Sequence, residues 1–148
     1  PIFAMPGRPN VARFLFVDPT AAEFFIEWDR VSWEAAALLH TLAGENPYDH
    51  GLIELVGELS TRSEPFRRLW ANHDVRLHRT GVKRFRHPVV GDLTLAYESL
   101  DIATDPGLRL NTYFAEPGTE SAERFALLAS WATMPSPQRA SVPAQTPD

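Results

Sequence analysis

The chain has 148 residues, of which 44% are hydrophobic and 11% aromatic, with no cysteine and a formal net charge of −5. This length supports one domain with a sizeable core, and no window holds the ~20 apolar residues that a membrane-spanning helix needs. The lack of cysteine excludes disulfides and thiolate chemistry and is typical of a cytoplasmic protein. The negative net charge argues against nucleic-acid binding by this chain itself, because phosphate contacts need a basic surface.

The N-terminal third of the chain predicts three helices. Asn10 is a candidate N-cap for a short first helix, and Asp18 followed by Pro19 is typical of the start of a second. A third helix is predicted from about Asp29 to Ala43, with Gly44 as its stop. The apolar residues of these helices recur at helical spacing: Val11, Phe14, Leu15, Phe24, Phe25, Trp28, Val31, Ala35, Leu38, Leu39 and Leu42.

Two more helices are predicted before the pattern changes. A heptad-like stripe from Leu52 to Leu59 predicts a fourth helix that ends near Thr61. Ser63 is a candidate N-cap for a fifth helix, and Pro65 is acceptable in a first turn. One face of this fifth helix carries Phe66, Leu69, Trp70 and His73.

After Asp74 the helical period gives way to alternation, which is typical of strands. The alternation from Val75 to His78 predicts a first strand, and Thr80 with Gly81 offers the turn that follows it. The helices thus come first and strands afterwards. This order is that of an α+β fold with an antiparallel sheet.

Two further strands and a last helix complete the prediction. Leu93, Leu95 and Tyr97 occupy one face of a half-buried strand. A third strand follows a turn at Asp105, and one of its faces is shared by Leu108, Leu110, Thr112 and Phe114. A C-terminal helix is predicted from about Glu120 to Ala132. Residues 133–148 are rich in proline and have no apolar pattern, so we expect a disordered or extended tail.

Several separated segments match one family in order. They are RPNVARFLFVDP, VGELSTRSEPF, FRRLWANHDV and KRFRHPVVGDLTLAYESL, within residues 10–132. Together they resemble the MmyB-like ligand-binding domain that follows the helix-turn-helix of XRE-type bacterial transcription regulators. The resemblance implies one PAS-like domain over residues 1–132, with a curved sheet and a hydrophobic pocket. It implies a long-chain fatty acid as ligand, no cofactor, and DNA contact only through a separate N-terminal helix-turn-helix domain.

The resemblance also implies a difference between this chain and other members of the family. Family members begin with two further strands that have no counterpart here, so we expect a sheet without its first strands. The segment from Leu108 to Glu116 would then be an unpaired edge, which is prone to capture another strand. We predict a new contact at this edge, from the tail or from a second copy of the chain in a homodimer.

The resemblance proposes which residues bind the ligand. The polar candidates are Asn10 and Arg13, from RPNVARFLF, His73, from WANHDV, and His87, from RFRHPVVG. The apolar candidates are Phe14, Phe66, Trp70, Val75, Phe85, Tyr97, Leu110 and Phe114, with Leu95 beside them. Each candidate has an ordinary alternative: Asn10 as a helix cap, His73 as a core histidine, and the apolar residues as plain core.

Three other functions compete with this interpretation. A metal site would draw on His73, Asp74, His78 and His87, but neighbouring side chains diverge on a helix end, and we predict no metal. A small hydrolase or lipid-modifying enzyme would draw on Ser60, Ser63, His73 and Asp74, with His87 as another candidate, although no catalytic motif occurs. A dimerisation module with a filled core is the third alternative.

Half of the chain's 14 basic residues lie between Ser63 and Gly91. They are Arg67, Arg68, Arg76, Arg79, Lys83, Arg84 and Arg86. A solvated face with salt bridges, a single anchor for a carboxylate headgroup, and a phosphate contact are the three interpretations of this cluster.

Overall fold

A computed structural model of the chain describes residues 9–72, 79–104 and 107–132. Within these ranges the elements follow in chain order: α1 (Val11–Val17), α2 (Ala21–Phe24), α3 (Trp28–Glu45), α4 (His50–Arg62), α5 (Glu64–Ala71), β1 (Thr80–His87), β2 (Gly91–Asp101), β3 (Arg109–Phe114) and α6 (Glu120–Ala132). Helices precede an open antiparallel sheet and a C-terminal helix closes the order, which confirms the predicted α+β class.

Two predicted caps are formed. The Asn10 side chain accepts a hydrogen bond from the Arg13 backbone N–H at 2.9 Å at the start of α1. The Ser63 hydroxyl accepts one from the Phe66 N–H at 3.3 Å at the start of α5. Each cap satisfies one of the N–H groups that a helix start leaves without an intrahelical partner.

The second and third helices differ from the prediction. α2 ends at Phe24, because Phe25 pairs with Phe85 in an isolated antiparallel bridge and the Ile26 N–H donates to the Arg84 carbonyl at 3.1 Å. Trp28 therefore begins α3 instead of ending α2. Gly44 does not stop α3, which continues to Glu45.

The sheet has the order β1-β2-β3 with antiparallel neighbours. Thr80 and Gly81, predicted as a turn, are the first residues of β1 and pair with Glu98 and Tyr97. A Cβ atom at position 81 would lie 3.1 Å from the Tyr97 ring, so the absence of a side chain at Gly81 leaves room for that ring. The strand predicted over residues 75–78 falls outside the described ranges.

The helices enclose a closed aromatic core. Its buried members are Phe14, Leu15, Phe16, Ala21, Phe25, Val31, Ala36, Leu39, Leu55, Leu59 and Phe66. The Phe16 and Phe66 rings meet edge to face with centroids 5.0 Å apart, and Phe14 packs on Phe24 at 5.8 Å in the same manner. This is the preferred arrangement of aromatic pairs. In the part of the chain that the structure covers, no helix is long and apolar enough to cross a membrane.

Helix α6 attaches to β2. The Thr94 N–H donates to the Ser121 hydroxyl at 2.9 Å, and the Arg124 guanidinium donates to the Asp92 carbonyl at 2.7 Å. Within the residues described, no further strand pairs with the outer edge of β3. The predicted contact at that edge involves the tail or another chain, so it stays a prediction.

Candidate functional site

A groove lies between the sheet and the helices that face it. Its apolar end has a volume of about 430 Å³. Helices α1, α2, α3 and α6 and all three strands contribute to it. The lining residues are Val11, Phe24, Phe25, Val31, Lys83, Phe85, His87, Leu93, Leu95, Asn111, Tyr113, Phe125 and Leu128. We call this space the apolar end of the groove.

An adjoining space of about 300 Å³ forms the polar end. Its lining adds Leu15, Glu34, Ala35, Leu38, Tyr97, Ser99 and Arg109. The two ends share Val11, Val31, Lys83, Asn111 and Tyr113. These shared residues mark the junction between the apolar end and the second end, which is more polar but still mostly apolar.

Strand register decides which side chains face the groove. Leu93, Leu95 and Tyr97 are each only 4% exposed, so this face of β2 turns inward. Directly paired residues of an antiparallel sheet lie on the same face. Phe85 pairs with Leu93 and Tyr113 with Tyr97, which brings β1 and β3 into the floor of the groove.

The same register corrects the predicted face of β3. Leu110 pairs with Leu100 and Phe114 with Ala96, on the opposite side of the sheet from Tyr97. The side chains of Leu110 and Phe114 are 52% and 48% exposed. Both residues therefore lie outside the groove that they were predicted to line, because the more apolar face of β3 points away from the helices.

The polar end holds an ion-pair network between α3 and β1. Lys83 Nζ lies 3.4 Å from Glu34 Oε2 and 4.5 Å from the centre of the Tyr97 ring. Arg30 donates to Glu34 at 2.7 Å and to the Val82 carbonyl at 2.7 Å. Glu34 is thus held by two cations, and α3 is tied to β1 beside the groove.

Burial shifts the ionisation of three groups in the floor. It raises the pKa of both Tyr97 and Tyr113, so each phenol stays protonated and keeps an O–H donor at neutral pH. Burial also lowers the pKa of His87, which favours the neutral ring. The His87 Nδ1 accepts hydrogen bonds from the backbone N–H groups of Val89 and Val90 at 3.3 and 3.4 Å, as only an unprotonated nitrogen does.

Three of the predicted ligand-binding residues meet in the groove: Phe85, His87 and Tyr97. Leu95, named beside them, joins the floor as well. His73 and Val75 lie outside the described ranges. Asp74 and His78, on which the competing metal and hydrolase interpretations would draw, lie outside them as well.

The remaining candidates make other contacts, among the helices and away from the groove. Asn10 caps α1, and Arg13 donates to Glu58 on α4 at 2.7 Å. Phe14 and Phe66 are fully buried core residues. Trp70 stacks on His40, with centroids 3.7 Å apart, and borders a separate small pocket of about 170 Å³.

Several groove residues were absent from the sequence-based site. They are Phe24, Phe25, Lys83, Leu93, Asn111, Tyr113, Phe125 and Leu128. The alternation of β2 placed Leu93 on the same face as Leu95 and Tyr97, but nothing in the local pattern indicated that this face borders open space.

The basic cluster is mostly a salt-bridged surface. Ion pairs join Arg68 to Glu64, Arg79 to Asp101, Arg84 to Glu27, and Arg86 to Asp92. Arg67 donates to the Ser60 carbonyl, and Arg76 lies outside the described ranges. Lys83 differs from these because its side chain is only 17% exposed and faces the groove.

The described residues give little support to the competing metal and hydrolase interpretations. Among the residues with described positions, no group of three or more histidine, aspartate or glutamate side chains could hold a metal ion. Ser63 is buried, and its hydroxyl caps α5. The site is therefore best described as an amphipathic groove.

The model of the MmyB-like transcription regulator ligand binding domain matches residues 3–128. That span covers the helices α1–α5, the whole sheet and most of α6. No curated protein matches the chain. The matched family consists of regulator domains and is not a known class of enzyme.

Proposed function

This chain belongs to the family of MmyB-like transcription regulator ligand binding domains, and from that premise we propose that it senses a hydrophobic small molecule, such as a long-chain fatty acid, in its groove. Membership itself assigns the chain to ligand sensing in transcription regulation. The identity of the ligand, the PAS-like character of the fold and the non-catalytic mode of action are part of the proposal.

The apolar end of the groove is the observation that carries this proposal. Its volume of about 430 Å³ falls within the ~300–1,000 Å³ that small-molecule pockets span. Phe24, Phe25, Phe85, Phe125 and Leu128 face it from three sides. An acyl chain placed there gains about 0.8 kcal/mol for each methylene removed from water, so it binds without many polar contacts.

The mechanism follows from where the groove lies. It is lined by α6 and the sheet as well as by α1–α3, so an occupant contacts both groups of elements. A ligand that favours one packing of these elements over another shifts the population toward it, by no more than its difference in affinity for the two. We propose that this shift acts on a helix-turn-helix DNA-binding domain of the same regulator in the cytoplasm.

Solvent extraction of the purified protein tests the proposal. We expect mass spectrometry of the extract to find an aliphatic acid or another apolar molecule in stoichiometric amount. Replacing Leu128 with tryptophan fills the groove and should reduce this amount several-fold. Leu127→Trp is the matched control, because Leu127 precedes it on α6 and is 46% exposed. An extract without such a molecule, together with no binding of added dodecanoate, would refute the proposal.

A second copy of the chain is the partner that we propose for the outer edge of β3, with which no described strand pairs. The support is the apolar outer face of this strand, where Leu110 and Phe114, together with Leu108 just before the strand, are each about half exposed. Light scattering over a range of protein concentrations should detect a dimer, which Leu110→Glu should weaken. A monomer at all concentrations would contradict this part of the proposal.

A further inference from the structure

We propose that Lys83 anchors an anionic headgroup in the groove, with Glu34 as the counter-ion that the headgroup replaces. The ligand would be an amphiphile with a carboxylate or similar anion at one end. This inference rests on the proposed function, since it assumes that an apolar molecule occupies the groove. It adds the position of the headgroup, the direction of the chain and the residues that select for charge.

Lys83 is placed for this role by the register of β1. It pairs with Leu95 and faces inward, where it lines both the apolar and the polar end of the groove. No other cationic side chain lines both ends within the described residues. A headgroup at Lys83 therefore leaves the whole apolar end for the tail.

Among the described residues, the 17% exposed Lys83 has two partners, the Glu34 carboxylate and the Tyr97 ring, whose centre lies 4.5 Å from Nζ. The distance of 3.4 Å from the Lys83 ammonium to Glu34 exceeds the 2.7–3.2 Å of an ordinary hydrogen bond. Glu34 directs its other oxygen to Arg30 at 2.7 Å. A lysine has three donors, so a ligand carboxylate at hydrogen-bond distance would give this ammonium a better partner than it has now.

The charge around the junction favours an anion. The connected network contains the cations Arg30, Lys83 and Arg84 and the carboxylates Glu27 and Glu34. Three positive charges against two negative ones leave an excess of one. A monoanionic headgroup would balance the network, whereas a cationic headgroup would increase the imbalance.

The strand geometry also sets the direction of the tail. Lys83, Phe85 and His87 lie on the same face of β1 at successive alternate positions. Lys83 and His87 are about 13 Å apart at ~3.3 Å per residue. A tail that starts at Lys83 runs over Phe85 and under Phe125 and Leu128, toward the neutral His87 ring.

Calorimetric titration with two probes of equal chain length tests the inference. The probes are dodecanoate and 1-dodecanol, both below their aggregation concentrations at pH 8. We expect the wild-type protein to prefer dodecanoate by at least about tenfold, which is the factor that a charge-assisted hydrogen bond of ordinary strength provides. Lys83→Met should abolish this preference by weakening dodecanoate binding at least about tenfold more than dodecanol binding, while Lys83→Arg should retain it.

Glu34→Gln should act in the opposite direction. Glutamine keeps the shape and accepts from Arg30 but removes the negative charge beside Lys83, so the preference for dodecanoate should increase several-fold. Arg86→Met is the matched control for loss of a positive charge on β1, because Arg86 is exposed on the other face and pairs with Asp92. It should leave both affinities unchanged, and thermal unfolding checks that every variant is folded.

The outcomes separate this inference from the proposed function. If neither probe binds the wild-type protein, the proposed function fails. If both bind with equal affinity, or if Lys83→Met leaves the preference intact, the function stands and the role of Lys83 is refuted. Loss of the preference in His87→Ala but not in Lys83→Met would place the headgroup at the opposite end of the groove and would also refute it.

Discussion

The two sides of this molecule use the same kinds of residue to different effect. On the helical side, Phe14 and Phe66 are fully buried, and their rings contact other rings at ordinary packing distances. On the sheet side, Phe85, Phe125 and Leu128 line a groove of about 430 Å³. One side is a closed core, and the other is an open, apolar surface that has been partly enclosed.

Aromatic content alone therefore does not distinguish a core from a binding site. The helical residues lie on adjacent helices that pack side by side, so their side chains interdigitate. The groove residues lie on elements that polar contacts join, α6 to β2 through Ser121 and Arg124, and α3 to β1 through Arg30. The Phe85 ring contacts the rings of Phe24 and Phe25, with centroids 5.5 and 5.6 Å apart, yet open space remains beside these contacts.

The largest difference in the free energy of unfolding is expected between substitutions of one phenylalanine from each side. Phe66→Ala should reduce the free energy of unfolding by about 3–5 kcal/mol, because it removes a fully buried ring and leaves a cavity. Phe125→Ala should cost only about 1 kcal/mol, since its ring already borders open space. Chemical denaturation measures both. Equal losses would mean that the groove is closed in solution and that the comparison fails.

A smaller effect is expected at Asn10, which was a candidate for ligand binding. Asn10→Ala should cost about 1 kcal/mol of stability through the lost cap of α1, and Asn10→Asp should restore most of it. The amount of ligand extracted should be the same in all three proteins. A loss of ligand without a loss of stability would assign Asn10 to the binding site instead of the helix.

The smallest effect concerns the pH dependence of stability through His87. Burial lowers its pKa in the folded protein below the ordinary value of 6.5, so the unfolded chain binds more protons there in mildly acidic solution. Its contribution to stability is therefore complete above pH 6.5 and is lost as the pH falls through the lowered pKa. The lowered pKa values of Glu27, Glu58 and Asp101 act in a more acidic range.

Asparagine at position 87 provides the control for this pH effect. Its amide oxygen can accept the same backbone hydrogen bonds but does not titrate. Denaturation of His87→Asn between pH 7 and pH 5 should show a smaller decrease in stability than the wild-type protein. Identical pH profiles would contradict the assignment of this effect to His87.

Much of the fold was predictable from local pattern. The caps at Asn10 and Ser63 are formed by their own side chains, and α6 has the predicted bounds from Glu120 to Ala132. These features depend on residues within one helical turn. The end of α2 was not predictable in this way, because Phe25 is drawn into a bridge with Phe85, sixty positions further along the chain.

The candidate site was predictable only in part. Leu95 and Tyr97 were identified because alternation marks one face of their strand, and that face is buried. Phe85 was named only as an apolar candidate for the pocket that the resemblance implies. On β3, alternation favoured Leu110 and Phe114, yet Asn111 and Tyr113 face the groove. A one-residue change of register exchanges the two faces of a strand, and no local signal sets that register.

Neighbouring residues and matching segments were enough to predict the order of helices and strands, the two side-chain caps and the family. Only the folded chain shows which faces of β1 and β3 turn inward, and that Lys83 lies between the apolar end and the more polar end of the groove. It also shows that Asn10 and Arg13 have other partners. Pairing and packing between residues far apart in the chain select the inward face of each element, and on β3 the selected face is the less hydrophobic one.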